Sequence, residues 1–361
     1  MATTKEYRLG EYTFPRGWFM VADAEELKDK PIAVRFFAHD FALYRGKSGR
    51  VVMLDAYCPH MGTHLARNET SYVVQDGSIE GDSIRCPYHG WRYGPDGKCN
   101  EIPYSTAPIP TAACVKSWPV VERLGCIFVW HDPEGGDPEW AEPDFPEWHD
   151  PTWVRWKIDH LGVLNSHPQE YIDNIADSAH LGPVHGSTVQ YFENEFRGHL
   201  AIQRQGGGHR TLESSAGMLE TDTVYHGPGF LLSHARGWAP NVIFIAHTPV
   251  DDGVTEVWHA TLVKGQSGKA PPTAEDVAAA RAYQVADCAA FAQDFDVWKH
   301  KRPCLNVLQV PGDGPFHKAR LWYKQFYNPR ARKKEYLSQV EGVMHYAKGV
   351  APAPPRVAAA S

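Results

Sequence analysis

Two short motifs place four metal-binding side chains in one window: Cys58-Pro59-His60, and Cys86-Pro87-Tyr88-His89 followed by Gly90-Trp91. Thiolates suit iron–sulfur iron, and exchanging two of four for neutral imidazoles removes negative charge and raises a [2Fe-2S] potential to about −150 to +300 mV. Cys58, His60, Cys86 and His89 therefore read as the ligands of a mixed-ligand [2Fe-2S] cluster, a one-electron carrier. The spacing argues against zinc. Structural zinc pairs usually leave two to four residues between the first two ligands, whereas a single residue separates Cys58 from His60.

A destination for the electrons follows in Gln169-Glu-Tyr-Ile-Asp-Asn-Ile-Ala-Asp-Ser-Ala-His180-Leu-Gly-Pro-Val-His185. This stretch reads as a helical segment near 167–181. Asn174, Asp177 and His180 recur every three residues and so share one slowly turning stripe. Gly182-Pro183 ends the helix and lets the chain swing His185 back beside His180. Two imidazoles and one carboxylate make the facial triad that holds non-haem Fe(II) with positions open for O₂.

The carboxylate is sought on a long helix near 274–300, opened by the capping signature Thr273-Ala-Glu-Asp276. Asp287, Phe291, Asp294 and Trp298 fall on one of its faces. A carboxylate between two large apolar side chains points inward, and buried charges are paired or bound to metal. Asp294 is preferred to Asp296 on that ground.

The 361 residues allow two domains, and 43% hydrophobic with 12% aromatic residues furnishes two cores. Residues 1–135 carry short β-rich runs, among them 32–37, 51–54, 120–121 and 126–130, separated by Gly, Asp and Pro turns. Periodicity is lost between Asp132 and Pro151, so a second domain is assigned to 136–350, with strands between about 198 and 263. An Ala- and Pro-rich tail, 351–361, reads as disordered. No run of eighteen apolar residues and no signal-peptide core occur, so a cytoplasmic protein without a membrane span is expected. Of seven cysteines, Cys99, Cys114, Cys126, Cys288 and Cys304 are read as reduced, packed thiols. A net charge of −7 gives no reason to expect nucleic acid, and the basic run Arg330 to Lys334 reads as a solvated face.

With Met61-Gly62 and His64-Leu65 after the first ligand pair and Gly90-Trp91 after the second, the N-terminal part resembles the Rieske iron–sulfur domain. The 25 residues between His60 and Cys86 exceed that family's usual spacing, and the excess within Asn68 to Gly81 is expected to form a longer hairpin. Both constellations, from Arg16-Gly17-Trp18 to Tyr327, resemble the oxygenase component of the Rieske non-haem iron oxygenases. Asp177, His180 and His185 match that family's D-x-x-H-x(4)-H pattern, and Asp294 its late aspartate. Tyr57 to Gly62, Ile172 to His180, Asp296 to Lys301 and Trp322 to Tyr327 are similar to the 3-ketosteroid 9α-hydroxylase oxygenases.

The resemblance implies an α+β chain, an all-β Rieske domain followed by a helix-grip domain in which an antiparallel sheet surrounds a long helix. It implies a [2Fe-2S] cluster, mononuclear Fe(II) on His180, His185 and Asp294, O₂ as co-substrate, and a small apolar substrate of steroid or other alicyclic type. A separate NAD(P)H-dependent reductase or ferredoxin is implied, and the chain contains no G-x-G-x-x-G fingerprint of its own. It further implies a homotrimer in which Asp177 bridges a cluster histidine of a neighbouring subunit to an iron histidine. Asn174 is open between steering the iron or substrate and packing the helix. Tyr191, Phe192, Phe196, Phe230, Leu231, Leu232, Trp238, Val242 and Phe244 are expected in part around an apolar cavity and mostly in the core. Two other outcomes stay open. One is a Rieske oxygenase acting on an aromatic or methoxylated substrate by dihydroxylation, demethylation or desaturation. The other is an electron carrier without catalytic iron.

Overall fold

The computed structural model describes residues 2–209, 218–236 and 240–346. Trp238 and the expected disordered tail 351–361 lie outside them. The chain divides into two compact units, Trp18–Pro143 with Thr248–Asp251, and the rest.

The first unit is built from β-strands, as the turn-punctuated sequence predicts. Its strands are β1 (Gly17–Asp23), β2 (Ile32–Phe36), β3 (His39–Arg45), β4 (Val51–Asp55), β5 (Ile79–Glu80), β6 (Ser83–Arg85), β7 (Arg92–Tyr93), β8 (Cys99–Glu101), β9 (Ser117–Trp118), β10 (Val120–Arg123) and β11 (Cys126–His131). They pair in three sheets of order β1-β11-β10, β2-β3-β4-β9 and β5-β6-β7-β8. Trp130, Phe19, Phe41 and Phe128 are fully buried, and burial of a side chain of this size contributes about 1.5–3 kcal/mol.

The segment from Asn68 to Gly81 is not the longer hairpin expected. Ser71 caps a one-turn helix, α1 (Tyr72–Gln75), by accepting from the Val74 N–H at 3.3 Å. The β-turn at Gly81-Asp82 then joins β5 to β6. Asn68 starts this turn of helix by accepting from the N–H groups of Thr70 and Ser71, a local competition that hydrophobic patterning does not register.

The boundary also differs from a single cut after residue 135. Beyond β11 the chain stays with the first unit, because Trp140 packs edge-on to Trp130 at 4.7 Å and its carbonyl accepts from Trp18 Nε1. The N-terminal segment belongs instead to the second unit. Thr4 Oγ1 lies 2.9 Å from His167 Nε2, and Asn328 Nδ2 donates to the Leu9 carbonyl.

The second unit contains α2 (Pro146–His149), β12 (Trp153–Val154), β13 (Asp159–Leu164), α3 (Gln169–Ala176), β14 (Ser187–Arg197), β15 (Leu200–His209), β16 (Leu219–His226), β17 (Phe230–Arg236), β18 (Asn241–Asp251) up to His247, β19 (Val254–Lys264), α4 (Ala274–His300), α5 (Phe316–Lys324), α6 (Lys333–Leu337) and β20 (Gly342–His345). One antiparallel sheet runs β12-β19-β18-β17-β16-β15-β14-β20, with β13 also on β19. Gly206-Gly207-Gly208 lies inside β15, within the span where strands are expected. The register of β14 shifts between Val189 and Tyr191, and a Cβ at Gly207 would meet the Thr188 carbonyl oxygen at 1.6 Å.

Helix α4 matches the expected 274–300. Thr273 Oγ1 accepts from the Asp276 N–H and the Asp276 carboxylate from the Thr273 N–H, a complete capping box. From β19, Thr261 and His259 bond to Asp287 on α4, which lays the helix along the sheet. No described helix is long and apolar enough to cross a membrane.

The cysteines are free thiols, but not all are packed. Cys99 and Cys126 are buried, Cys288 and Cys304 half-buried, and Cys114 exposed. In the basic run, Arg332 is tied to Glu335 and Glu11.

Candidate metal centres and the cavity beside them

The two cysteine–histidine motifs form matching loops. The Cys58 carbonyl accepts from Gly62 N–H at 2.9 Å, and the Cys86 carbonyl from Gly90 N–H at 3.0 Å. Both glycines have positive φ, +71° and +75°, a backbone state that a side chain disfavours. The second loop is closed by pairing of Ile84 with Tyr93 across β6 and β7.

Cys58 and Cys86 are buried, and the rings of His60 and His89 lie 4.6 Å apart. His60 stacks flat on Trp91 at 4.5 Å. Its Nδ1 is buried without a hydrogen-bond partner, an unsatisfied atom that calls for a ligand. Donation from the Cys86 thiol, opposed by burial and aided by the Tyr93 hydroxyl, lowers the Cys58 thiol below its ordinary value. The donor set thus suits the group that two thiolates and two neutral imidazoles hold, a [2Fe-2S] cluster.

The second constellation assembles differently from a continuous helix 167–181. Helix α3 stops at Ala176, and Asp177 is extended (φ −92°, ψ 102°). A separate 3₁₀ turn, Ala179–Leu181, carries His180. The Asp177 carboxylate accepts from the N–H groups of Ala179 and His180 at 2.9 and 3.3 Å, so it opens that turn and does not continue the helix. Gly314 seats against the end of α3, where a Cβ would lie 1.4 Å from the Ala176 carbonyl oxygen.

His180, His185 and Asp294 converge. His185 Nε2 is 3.4 Å and His180 Nε2 4.0 Å from Asp294 Oδ1, and the ligand atoms lie within 4.8 Å of one another. His180 Nδ1–H donates to the Asp177 carbonyl at 2.7 Å, which leaves Nε2 as the lone-pair atom. Asn174 Nδ2 lies 3.3 Å from that Nε2. His185 Nδ1 faces Gln293 Oε1 at 3.1 Å, which aims its Nε2 the same way. Burial works against charge on His185, but the Asp294 carboxylate outweighs it and raises the imidazole above its ordinary value. Asp296 points away, with its side chain 83% exposed.

A cavity of about 570 Å³ opens from these residues, lined by Asn174, His180, His185, Phe291, Asp294 and Trp298 among others. Leu231 lines it, whereas Phe192, Phe196, Phe230, Leu232, Val242 and Phe244 are buried outside its lining. Gln293 and His259 escape sequence reasoning: the first has no motif, and the second sits in a strand that β-propensity alone explains. The buried side of α3 is held by Asp173 to Arg320 on α5, at 2.9 and 2.5 Å, and by Glu170 to Lys301 and Tyr7.

A β-domain with two cysteine–histidine loops, followed by a sheet that flanks a long helix and a His-His-Asp cavity, defines a Rieske-type oxygenase component. Residues 17–119 match the Rieske [2Fe-2S] domain, and residues 129–327 the 3-ketosteroid 9α-hydroxylase C-terminal domain. The chain belongs to the family of the 3-ketosteroid 9α-monooxygenase oxygenase components, and is thus a Rieske non-haem iron monooxygenase. It is 35% identical over 333 residues to a probable 3-ketosteroid-9-alpha-monooxygenase oxygenase component of Rhodococcus rhodochrous, covering 87% of this chain and 80% of the relative. A Mycolicibacterium smegmatis 3-ketosteroid-9-alpha-monooxygenase oxygenase component is 33% identical, with 87% and 82% covered. Cholesterol 7-desaturase nvd 1 of Ciona intestinalis is 41% identical over 174 residues, 48% of this chain and 35% of the relative. Among solved structures, NdmB of Pseudomonas putida CBB5 superposes with a TM-score of 0.67 at 15% identity, covering 95% and 98%. Apo dicamba monooxygenase does so at 0.63 and 20%, covering 91% and 100%. These two likenesses concern the fold.

Proposed function

We propose that this oxygenase hydroxylates a steroid-like substrate, using O₂ and electrons that a separate reductase delivers through the cluster. The observation that carries the reading is the convergence of His180 Nε2, His185 Nε2 and Asp294 Oδ1 at the wall of a cavity of about 570 Å³. The family's steroid relatives supply the substrate class. Two neutral ligands and one anion suit Fe(II), which when bound there supplies O₂ activation at its remaining positions.

The chain's own residues prepare that site. The Asp177 carbonyl holds the His180 tautomer, and Gln293 orients His185. Asn174 borders both the His180 Nε2 and the cavity, so it positions the metal edge or the ligand. The walls contributed by Leu231, Ile243, Ile245 and Phe291 exclude water from the substrate.

We assign the bridging role to Asp177 within a head-to-tail homotrimer. Its carboxylate lies 3.6 Å from His180 Nδ1 and its side chain is 29% exposed, so it can also meet an imidazole of another subunit. With its carbonyl holding the His180 tautomer and its carboxylate turned to the second imidazole, Asp177 couples the metals. Reduced thiols fit a cytoplasmic site of action beside an NAD(P)H-dependent reductase or ferredoxin. Sterol desaturation is the second reading, favoured by the 41% identity to the cholesterol 7-desaturase.

A single turnover tests both. The iron-loaded protein is reduced, mixed with O₂ and a panel of 3-ketosteroids, sterols and aromatic acids, and the products are weighed by mass spectrometry. Gain of one oxygen on a steroid is expected. Loss of two hydrogens would select desaturation, and reaction of aromatic compounds alone would overturn the steroid reading.

A further inference from the structure

One polar group in the cavity has no part in holding metal. Asp287 lies seven residues before Asp294 on α4, which places it two turns, or about 10 Å, along the helix on the same face. Its Oδ2 is fully used: it accepts from Thr261 Oγ1 at 2.8 Å and faces His259 Nε2 at 2.9 Å. Among the described residues no hydrogen bond reaches Oδ1. The side chain is 17% exposed, and it lines the cavity beside Ala286 and Ala290, whose methyl groups leave it open.

What stands behind Asp287 makes it rigid. His259 has no exposed side-chain surface, and its Nδ1 faces Asp159 Oδ2 at 2.9 Å. The same Asp159 oxygen accepts from Gln284 Nε2 at 2.8 Å. Burial alone would discharge His259, but the carboxylates of Asp159 and Asp287 carry its imidazole up to about 11. The imidazolium, shared with Asp159, offsets part of the field of Asp287, and the apolar walls around it suit a neutral donor.

A carboxylate accepts hydrogen bonds and donates none. A ketone cannot satisfy it; a hydroxyl can. We propose that Asp287 Oδ1 anchors a hydroxyl group at the end of the substrate remote from His180, His185 and Asp294, so that the cavity selects hydroxylated steroids over their all-ketone counterparts. This rests on the steroid reading and narrows it.

The test uses the holoenzyme and titration calorimetry with three steroids of one skeleton: androst-4-ene-3,17-dione, testosterone and dehydroepiandrosterone. One of the two alcohols is expected to bind at least about tenfold more tightly than the dione, the scale of a hydrogen bond to a charged group. Asp287→Asn is expected to reduce that preference to threefold or less. Should the variant not fold, the O-methyl ether of the preferred alcohol is measured on the unaltered enzyme, and the same loss is expected. A preference below threefold, or one that survives Asp287→Asn or O-methylation, overturns the anchor while leaving the steroid reading intact. Binding of none of the three steroids overturns both.

Discussion

His180 Nδ1 and the carbonyl oxygen of Asp177 are 2.7 Å apart, so the backbone of one residue decides which nitrogen of the other faces Asp294. The Asp177 carboxylate meanwhile accepts from the N–H groups that open the His180 turn. One residue therefore sets the tautomer and position of an iron-ligand candidate and retains an accessible carboxylate edge.

That division of labour makes Asp177→Asn informative. The amide oxygen can still cap the turn, so the thermal midpoint and the iron content are expected to stay near those of the unaltered enzyme. Turnover should fall by about 100-fold, as when outer hydrogen bonds of metal ligands are lost. Activity within a few-fold of normal would end the bridging role.

Asp294→Ala separates the two centres. Iron content is expected to drop from about three per chain to about two, with the visible and electron paramagnetic spectra of the reduced cluster unchanged. Three irons retained would show that the carboxylate is elsewhere, and two in the unaltered protein would favour a plain electron carrier.

Gly314→Ala probes how α3 is terminated. A Cβ there would overlap the Ala176 carbonyl oxygen, and relief by backbone shift costs about 1–3 kcal/mol. The shift would pass to Asp177 and His180, so mononuclear iron should be lost while the cluster spectrum persists. A variant with normal iron content and melting temperature would contradict this.

His259 supplies a pH signature. Its value rises from an ordinary 6.5 to about 11 on folding, the two carboxylates outweighing burial. Stability from this pairing is complete below about pH 6.5, the value for the unfolded chain. It is lost progressively as pH rises towards 11. The difference in melting temperature between the unaltered protein and His259→Gln should therefore shrink steadily from pH 7 to pH 10. A constant difference would mean that the imidazole is neutral in the fold.

Much of the site was legible because its chemistry is local. The spacing of Cys58, His60, Cys86 and His89 depends on two tight loops that their own glycines build, and the Thr273–Asp276 cap and apolar face of α4 are properties of a single helix. The break at Asp177 was not legible. Asn174, Asp177 and His180 have helical spacing, but Gly314, more than a hundred residues later, meets the last carbonyl of α3. The helical turn after Asn68 was hidden likewise, by side-chain capping.

The sequence by itself determined which atoms can bind metal, in what order along the chain, and that a sheet and a long capped helix would carry them. Helical phase already favoured Asp294 over Asp296; only the tertiary structure decided that its carboxylate meets both imidazoles, because His180 and His185 lie more than a hundred residues away and reach it only when their turn packs against α4. It also decided that His259 sits between Asp159 and Asp287, since those three residues lie on β19, β13 and α4 and meet only when the sheet packs against the helix.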